Sequence, residues 1–402
     1  MHSSGAAPLD LPVGSPHILF VTGEYPPLQG GVGAYTAELA TALAAQGRRV
    51  SVLTGVAGQT RRVDAGPVAV HPLIRRWGWG AGRSVGAWAQ AHGVDWVHVQ
   101  FQTAAFGMHP ALHFAPRGWQ RRGLRVAWTY HDVLVPYLFP KAGRRLRRWV
   151  TDWPAHVCDL TIATNEGDRL HLAGKARRLA RIPIGSNIAA RTFTPQERAA
   201  RRAARGFGPD ALVVGYFGFL NRSKGGLVLV ETLRRLVEAG LPARLLMIGE
   251  RVGASDPTNY AYLQEVEAAI AAHGLQDRVI WTGRQDDGAV SADLDACDVL
   301  LMPYADGASL RRGTLMAGLA HGCALVTTTP QAPLPELAAG RDLLYVPPDD
   351  AQAAAEAVLR LACDPALAAR LRAGARAASA AFTWEQIAAE HARLYDQIGE
   401  EE

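Results

Sequence analysis

Residues 212–226 read LVVGYFGFLNRSKGG, and this stretch decides the fold. An apolar run of strand length is followed by glycine and polar residues, after which a helical pattern begins. Such a run is typical of a buried parallel strand, and strand, turn and helix together form a βα unit. The second half repeats this order after ARLLMIG (243–249), RVIWTG (278–283), DVLLMP (298–303) and ALVTT (324–328). The repetition predicts an α/β domain around a parallel sheet.

The first half carries a second series of buried strands. Its apolar runs are HILFVT (17–22), RVSVLT (49–54), VDWVHVQ (94–100), LRVAWTY (124–130) and LTIAT (160–164), with helices such as 34–46 between them. We therefore predict two Rossmann-like, doubly wound domains, 1–187 and 211–383, facing each other across a cleft. Residues 188–210 lose the strand pattern and are predicted to connect the domains, and 384–402 has helical spacing. Open α/β sheets bind ligands at the carboxyl ends of their strands, so the cleft is the expected site.

Composition favours a soluble protein of the cytoplasm. The 402 residues suffice for two ordinary cores, and no run approaches the roughly 18 apolar residues of a membrane helix. The first residues lack the pattern of a secretory signal and are predicted to form a loose tail. The four cysteines form no CxxC pair, which argues against a disulfide framework or a zinc site.

Charge is distributed unevenly along the chain. Residues 1–185 carry a net +11, whereas the remainder carries −6. The basic residues cluster at 117–125, 141–148 and 175–181. Such patches suit an anionic membrane, as a peripheral contact at its inner face, or a phosphorylated acceptor; the alternative is a solvated arginine-rich surface. Nucleic acid is not expected, because no recognition module is present.

Lysine is rare in this chain, and one lysine stands where a phosphate would bind. Only three lysines occur against 39 arginines, and Lys224 follows a strand in FGFLNRSKGG. A compact ammonium suits phosphate, so we predict that Lys224, with Arg222, neutralises a diphosphate. The alternative is an exposed lysine at a helix start.

A second anion-binding turn is predicted within 302–322, MPYADGASLRRGTLMAGLAHG. Its hydroxyls, amides and guanidiniums precede a helix, whose N-terminus attracts negative charge. The residues concerned are Ser309, Arg311, Arg312, Gly313 and Thr314. Two such turns in one domain predict a single diphosphate held between them.

Two further candidates lie in the first half. Gly30, Gly31 and Gly33 open a helix after a strand in TGEYPPLQGGVGAY, so its free amides are expected to face an anion, although such turns are often purely structural. The spacing differs from the GxGxxG dinucleotide fingerprint, which argues against a dehydrogenase. His131, directly after a strand, is predicted to act on a sugar hydroxyl as acid, base or hydrogen-bond donor.

One motif is set aside. Asp293 and Asp295 have the DxD form of metal-dependent sugar transferases, but they lie in a helical stretch before a strand, at the wrong end of a βα unit. We therefore predict that no metal binds there.

Taken in order, YPPLQGGVGAY, the lysine–glycine turn, LVTT, LLYVPPDD and FTWEQIAAEHARLY resemble the retaining glycosyltransferases of family 4, which have the GT-B fold. The resemblance implies that residues 30–33 lie under the donor phosphates, that His131 lies near the transferred sugar and that Lys224 contacts the diphosphate. It also implies that Arg284 lies on the nucleobase side and that the helix 384–402 packs back on the first domain.

Departures from the family pattern concern charged residues. Phe219 stands where the family usually has an arginine, and Arg222 is expected to replace that charge. Ser309 and Ala317 stand where the family has a pair of glutamates, one beside the donor sugar and one on the ribose.

These patterns predict a metal-independent glycosyltransferase without a cofactor, and the resemblance to family 4 implies that it is a retaining one. It would transfer a sugar from a nucleotide diphosphate sugar to a hydroxyl acceptor, which could be a glycan, a lipid-linked molecule or a small molecule. Lys224, Arg222, Arg312 and the helix N-termini would stabilise the leaving diphosphate, and His131 would act at the sugar. The alternatives are an epimerase or hydrolase of the same fold and a non-catalytic nucleotide-sugar-binding subunit.

Overall fold

The computed structural model describes residues 15–28, 30–56, 63–65, 67–135, 142–252 and 257–401. The predicted N-terminal tail, apart from its last residues, and Lys141 of the second basic cluster lie outside this part of the chain. The chain forms two compact units, Met1–Ile184 with Trp384–Glu402, and Gly185–Thr383.

Within the described residues, the first unit is an α/β unit of eight strands. The strands are β1 (His17–Thr22), β2 (Arg49–Gly55), β3 (Val63–Ala65), β4 (Val68–Ile74), β5 (Trp96–Phe101), β6 (Arg125–Tyr130), β7 (Leu160–Ala163) and β8 (Leu179–Arg181). The helices are α1 (Gly31–Ala45), α2 (Ala81–Ala91), α3 (Pro116–Gln120), α4 (Gly143–Val157) and α5 (Glu166–Leu172), with a 3-10 helix at Pro110–Phe114. The sheet order is β3-β4-β2-β1-β5-β6-β7-β8, and every pair is parallel except β3 with β4.

Both faces of this sheet are covered. The apolar strands alternate their side chains between two buried clusters, which is why the runs read as continuously hydrophobic. The last helix, α13 (Trp384–Glu400), packs on α1 and contributes Ile387, Ala388 and Tyr395 to one cluster. The terminal segment of the chain is thus part of the first unit's core.

The second unit, in the part of it that the structure describes, has six parallel strands. They are β9 (Leu212–Phe217), β10 (Ala243–Ile248), β11 (Val279–Trp281), β12 (Val299–Met302), β13 (Leu325–Thr328) and β14 (Leu344–Val346). The helices are α6 (Pro195–Ala204), α7 (Gly226–Glu238), α8 (Pro257–Ala272), α9 (Asp287–Ala296), α10 (Gly313–Ala320), α11 (Ala351–Cys363) and α12 (Pro365–Ser379). The sheet order is β11-β10-β9-β12-β13-β14.

The predicted α/β class with doubly wound sheets is confirmed. Each predicted strand is present within two residues of its predicted ends, whereas β3, β4, β8 and β14 were not among the predicted strands. Three of these have only three residues, and β4 contains His71 and Pro72, which interrupt its apolar run. Within the described ranges, no helix has the length and apolar character that a bilayer span requires.

Residues 188–210, predicted as a connection, include α6, which is fastened to the second unit by ion pairs. Asp293 is fully buried and accepts from Arg201 Nε (2.6 Å) and Arg205 Nη2 (2.6 Å). Burial alone would raise the pKa of Asp293, but hydrogen bonds from Arg205, Arg201 and Gln285 lower it. The first aspartate of the DxD sequence therefore joins α6 to α9.

Candidate functional site

The order of strands in the second unit identifies one edge of its sheet as the expected ligand site. From β9 the chain passes to β10 and β11 on one side, and then returns to β12 on the other side of β9. Where the winding reverses in this way, the connections after the two neighbouring strands diverge and leave a crevice at their carboxyl ends. The two connections are residues 218–225 and 303–312, which contain both predicted anion-binding turns.

Glycine lets these two connections touch. Gly225 has φ +71°, and a Cβ there would lie 1.9 Å from the carbonyl oxygen of Pro303. The Ala305 N–H donates to the carbonyl oxygen of Ser223 (3.0 Å). A side chain at residue 225 would be strained in its backbone and would collide with the opposite connection. The lysine–glycine turn is therefore shaped by contact with the turn after β12.

Two cations share one aromatic ring at this point. Lys224 Nζ lies 5.1 Å and Arg312 Cζ 4.3 Å from the centre of the buried Tyr304 ring. Arg312 also pairs with Asp306, and Arg311 Nη2 lies 3.5 Å from the same carboxylate. Two guanidiniums at one carboxylate, with Lys224 over the same ring as Arg312, leave a net positive charge, which an anion would neutralise.

Lys224 is held without an anionic partner of its own. In the described part of the chain its ammonium makes no hydrogen bond or ion pair. Burial lowers the pKa of Lys224 to about 7; Arg312 and Arg311 add to this effect, and Asp306 opposes it. Because burial destabilises the charged form of this lysine, a bound anion would stabilise that form and raise its population.

The N-terminus of α10 adds unpaired amides. Its cap residue is Arg312, and no side chain caps the helix. The first amides of a helix have no partner within the helix, so Gly313 and Thr314 can present theirs to an anion. The Thr314 hydroxyl is hydrogen-bonded to the Tyr304 hydroxyl (2.8 Å), and Ser309 accepts from Arg312 N through its carbonyl oxygen (3.1 Å). This turn therefore offers amides and guanidiniums more than free hydroxyls.

Arg222, predicted to help neutralise the diphosphate, is not brought into this cluster. Arg222 pairs with Glu265 on α8 (2.7 Å) and lies over the Tyr262 ring at 5.0 Å. The structure therefore does not show Arg222 in place of the arginine that the family has where this chain has Phe219. Arg284 is exposed in the connection between β11 and α9.

In the first unit, the helix start expected to bind an anion is already occupied by a carboxylate. Glu24 Oε1 accepts from Val32 N (3.1 Å) and Gly33 N (3.3 Å) at the start of α1. A Cβ on Gly30 would lie 2.1 Å from that carboxylate, whereas one on Gly31 would meet open space. The expectation of free amides is thus corrected, because Gly30 makes room for an internal cap.

His131 lies directly after β6 and is neutral. Its Nε2 is 3.0 Å from Gln100 Oε1, an acceptor that places the proton on Nε2, and its ring meets Tyr35 edge-on at 4.7 Å. Burial, with a smaller contribution from His391, lowers the pKa of His131 to about 3. His131 can therefore act as a neutral hydrogen-bonding group, and its Nδ1 is available as an acceptor.

Sequence reasoning assigned no role to Tyr304, Glu24 or Gln100. Each lies at or beside the carboxyl end of a strand, and this position is their only signal in the sequence. Their partners are distant in the chain or set by a turn, so the sequence could not show which polar groups they hold.

Family models match both halves of the chain. The model described as "Glycosyltransferase Family 4" matches residues 29–189, and "Glycosyl transferases group 1" matches 211–364. A 2-deoxystreptamine glucosyltransferase of Streptomyces kanamyceticus is 28% identical over 39% of this chain, and the match spans only 39% of that enzyme. A phosphatidyl-myo-inositol mannosyltransferase of Mycolicibacterium smegmatis is 24% identical over 92% of this chain and 90% of its own length.

Solved structures share the fold over nearly the whole chain. Sucrose-phosphate synthase from Thermosynechococcus elongatus superposes with a TM-score of 0.74 at 22% identity, covering 96% of this chain and 100% of that one. HepE of Anabaena, solved with UDP and glucose, gives a TM-score of 0.72 at 17% identity over 95% and 99%. With two parallel α/β units and both family models matched, the chain belongs to the family 4, group 1 glycosyltransferases of the GT-B fold.

Proposed function

We propose that this glycosyltransferase takes its sugar from a nucleoside diphosphate sugar and transfers it to a hydroxyl acceptor, with retention of configuration and without a metal ion. The observation that carries the proposal is the pair of cations, Lys224 and Arg312, on one Tyr304 ring at the reversal point of the second sheet. HepE, which shares the fold, was solved with UDP and glucose, which supports this class of donor.

The bond that breaks joins the anomeric carbon to a phosphate oxygen, so negative charge grows on the leaving diphosphate. Lys224, Arg312 and the first amides of α10 would stabilise that charge in the transition state. Lys224 is half-neutral near pH 7 before the donor binds, and the diphosphate would draw a proton onto it. The protein's own cations would thereby take the part that a divalent metal plays in other sugar transferases.

The acceptor oxygen forms the new bond to the anomeric carbon on the face from which the diphosphate leaves, and its proton passes to the leaving phosphate oxygen. The carboxylate of Asp306 is engaged by Arg311 and Arg312, so it is poorly placed to act as a nucleophile. Retention itself rests on the family resemblance.

His131 would contact a hydroxyl of the transferred sugar. With Nε2 donating to Gln100, its Nδ1 lone pair would accept from that hydroxyl. Because the ring is neutral, it would not repel the positive charge that grows on the sugar. The predicted contacts of residues 30–33 and of Arg284 with the donor remain predictions.

A nucleotide panel tests the proposal. Binding of UDP, GDP, ADP, CDP and TDP, each with and without magnesium, is measured by calorimetry on the wild type, Lys224→Met and the control Arg222→Ala. We expect one diphosphate to bind without magnesium, Lys224→Met to lose about 3 kcal/mol of that binding, and Arg222→Ala to bind as the wild type does. A strict need for magnesium, or equal binding by Lys224→Met, would refute it.

Turnover separates transfer from the alternatives. The nucleotide sugar that binds is incubated with candidate acceptors, and the products are identified by mass spectrometry. Conversion of the nucleotide sugar alone would indicate an epimerase or hydrolase. Binding without turnover on any acceptor would indicate a non-catalytic subunit.

A further inference from the structure

Large apolar side chains are exposed on one part of the first unit. The exposed fractions are 66% for Trp79, 51% for Leu146 and 46% for Trp149. Tryptophan is seldom left so open to water, and exposed apolar side chains gathered in one place indicate a contact surface.

Ring contacts join these tryptophans into one surface. Trp79 stacks on Phe114 at 6.2 Å between ring centres, and Phe114 lies 6.1 Å from Trp149. Trp153, on the same helix as Trp149, lies 5.2 Å from it and 6.4 Å from Phe114. We call Trp79, Phe114, Leu146, Trp149 and Trp153 the tryptophan surface; it spans the start of α2, the 3-10 helix and α4.

The tryptophan surface is bordered by arginines. The first two turns of α4 carry Arg144, Arg145, Arg147 and Arg148 and no acidic residue. Arg117 lies over the Trp153 ring at 4.5 Å. The one acidic residue of α4, Asp152, is buried and paired with Lys175 Nζ (2.7 Å) and His171 Nε2 (2.9 Å), so it does not offset the charge of the arginines at the surface.

The surface lies at the carboxyl edge of the first sheet. Trp79, Phe114 and Leu146 lie in or just after the connections that follow β4, β5 and β6. Arg148 Nη1 donates to the carbonyl oxygen of Val133 (2.7 Å), two residues after His131. The tryptophan surface and His131 therefore belong to the same edge.

We propose that the tryptophan surface docks on an anionic lipid bilayer. Indole rings favour the headgroup region, aliphatic side chains enter the hydrocarbon, and arginines pair with lipid phosphates. Leu146 decides between partners: nucleobases and sugars stack on aromatic rings but gain little from an aliphatic side chain, whereas a bilayer accommodates both.

Docking would hold the His131 edge at headgroup level, which suits a hydroxyl acceptor anchored in the membrane. This consequence rests on the proposed function, whereas docking itself does not. Vesicle binding is measured without substrates, so its failure would leave the proposed transfer reaction intact, and a failed transfer assay would leave docking intact.

The test is sedimentation of the full chain with vesicles of phosphatidylcholine alone or mixed with phosphatidylglycerol. We compare the wild type with Trp79→Ser/Trp149→Ser and with Arg144→Glu/Arg145→Glu. The controls are Tyr260→Ser and Arg360→Glu, exposed residues of the second unit. Thermal unfolding of every variant is measured alongside vesicle binding, which separates lost docking from misfolding.

We expect the wild type to bind only the anionic vesicles, with a blue shift of tryptophan fluorescence. The arginine variant should bind at least about thirtyfold more weakly and the tryptophan variant at least about tenfold more weakly, while both controls bind as the wild type does. Absence of vesicle binding, equal binding to neutral vesicles, or wild-type binding by both surface variants would overturn the proposal. A soluble glycan or nucleic acid bound through the same residues in place of vesicles would also overturn it.

Discussion

Donor affinity should depend on pH through Lys224, and this dependence can be worked out from its surroundings. Burial lowers the pKa of Lys224 to about 7, so about half of the free enzyme carries the ammonium at pH 7 and about one hundredth at pH 9. If only the charged form binds the diphosphate, affinity should fall roughly fiftyfold over this range, or about 1.4 kcal/mol per pH unit at the upper end.

The Tyr304 hydroxyl keeps its proton throughout that range, because burial raises the pKa of Tyr304 to about 12. A nucleoside diphosphate is fully ionised above about pH 7.5, since the second ionisation of a phosphate lies near 6. The assay is calorimetry with the preferred nucleoside diphosphate from pH 7 to 9.

Two variants isolate the effect. Lys224→Arg keeps a cation at every pH, so its affinity should be nearly independent of pH even where its geometry is poorer. Lys224→Met should bind weakly and show the same independence. A wild-type affinity that is constant between pH 7 and 9, or a steep dependence retained in Lys224→Arg, would refute the reasoning.

Three further predictions concern stability. Asp293→Asn should lower the free energy of unfolding of the second unit by about 3 kcal/mol, because it leaves two arginines without their buried carboxylate. The matched change Asp295→Asn should lower it much less, and equal losses in denaturant unfolding would contradict this. Gly30→Ala should displace the Glu24 carboxylate from α1 and cost about 1–2 kcal/mol of thermal stability, whereas Gly31→Ala, where a Cβ meets open space, should change it by less than about 0.5 kcal/mol. The first unit should lose stability as the pH falls from about 6.5 to 4, because the unfolded chain binds protons on histidines that stay neutral when folded; unfolding midpoints that do not change over this range would rule that out. The histidines concerned are His17, His98, His113, His131 and His391, whose pKa values burial lowers.

Helix and strand positions could be predicted because their signal is local. The run at residues 212–217 is apolar throughout because a parallel strand is covered on both faces, and β9 was found there. The weak elements were missed for the opposite reason: β8 and β14 are three residues long, and pairing with a neighbouring strand, which sequence does not show, is what defines them. The class of fold and the connections that carry Lys224 and Arg312 thus followed from periodicity and turn residues.

Side-chain partners followed no such local rule. The sequence placed Arg222 beside Lys224, yet Arg222 pairs with Glu265, 43 residues away, because α8 packs against that turn. The first glycine turn looked open to an anion, but the chain bends back so that Glu24 caps α1. Local pattern shows which residues lie in a turn, whereas long-range packing decides what each polar group contacts.

Residue order alone was enough to specify two α/β units, the strand ends that carry the candidate residues, and a basic first half, since these depend on side-chain periodicity and charge. Tertiary structure decided that β9 and β12 are neighbours, and this places Lys224 and Arg312 over the same Tyr304 ring. It also joined Trp79, Phe114 and Trp149, from three separate connections, into one surface. Strand order and ring contacts arise from packing between segments far apart in the chain, and no local pattern records them.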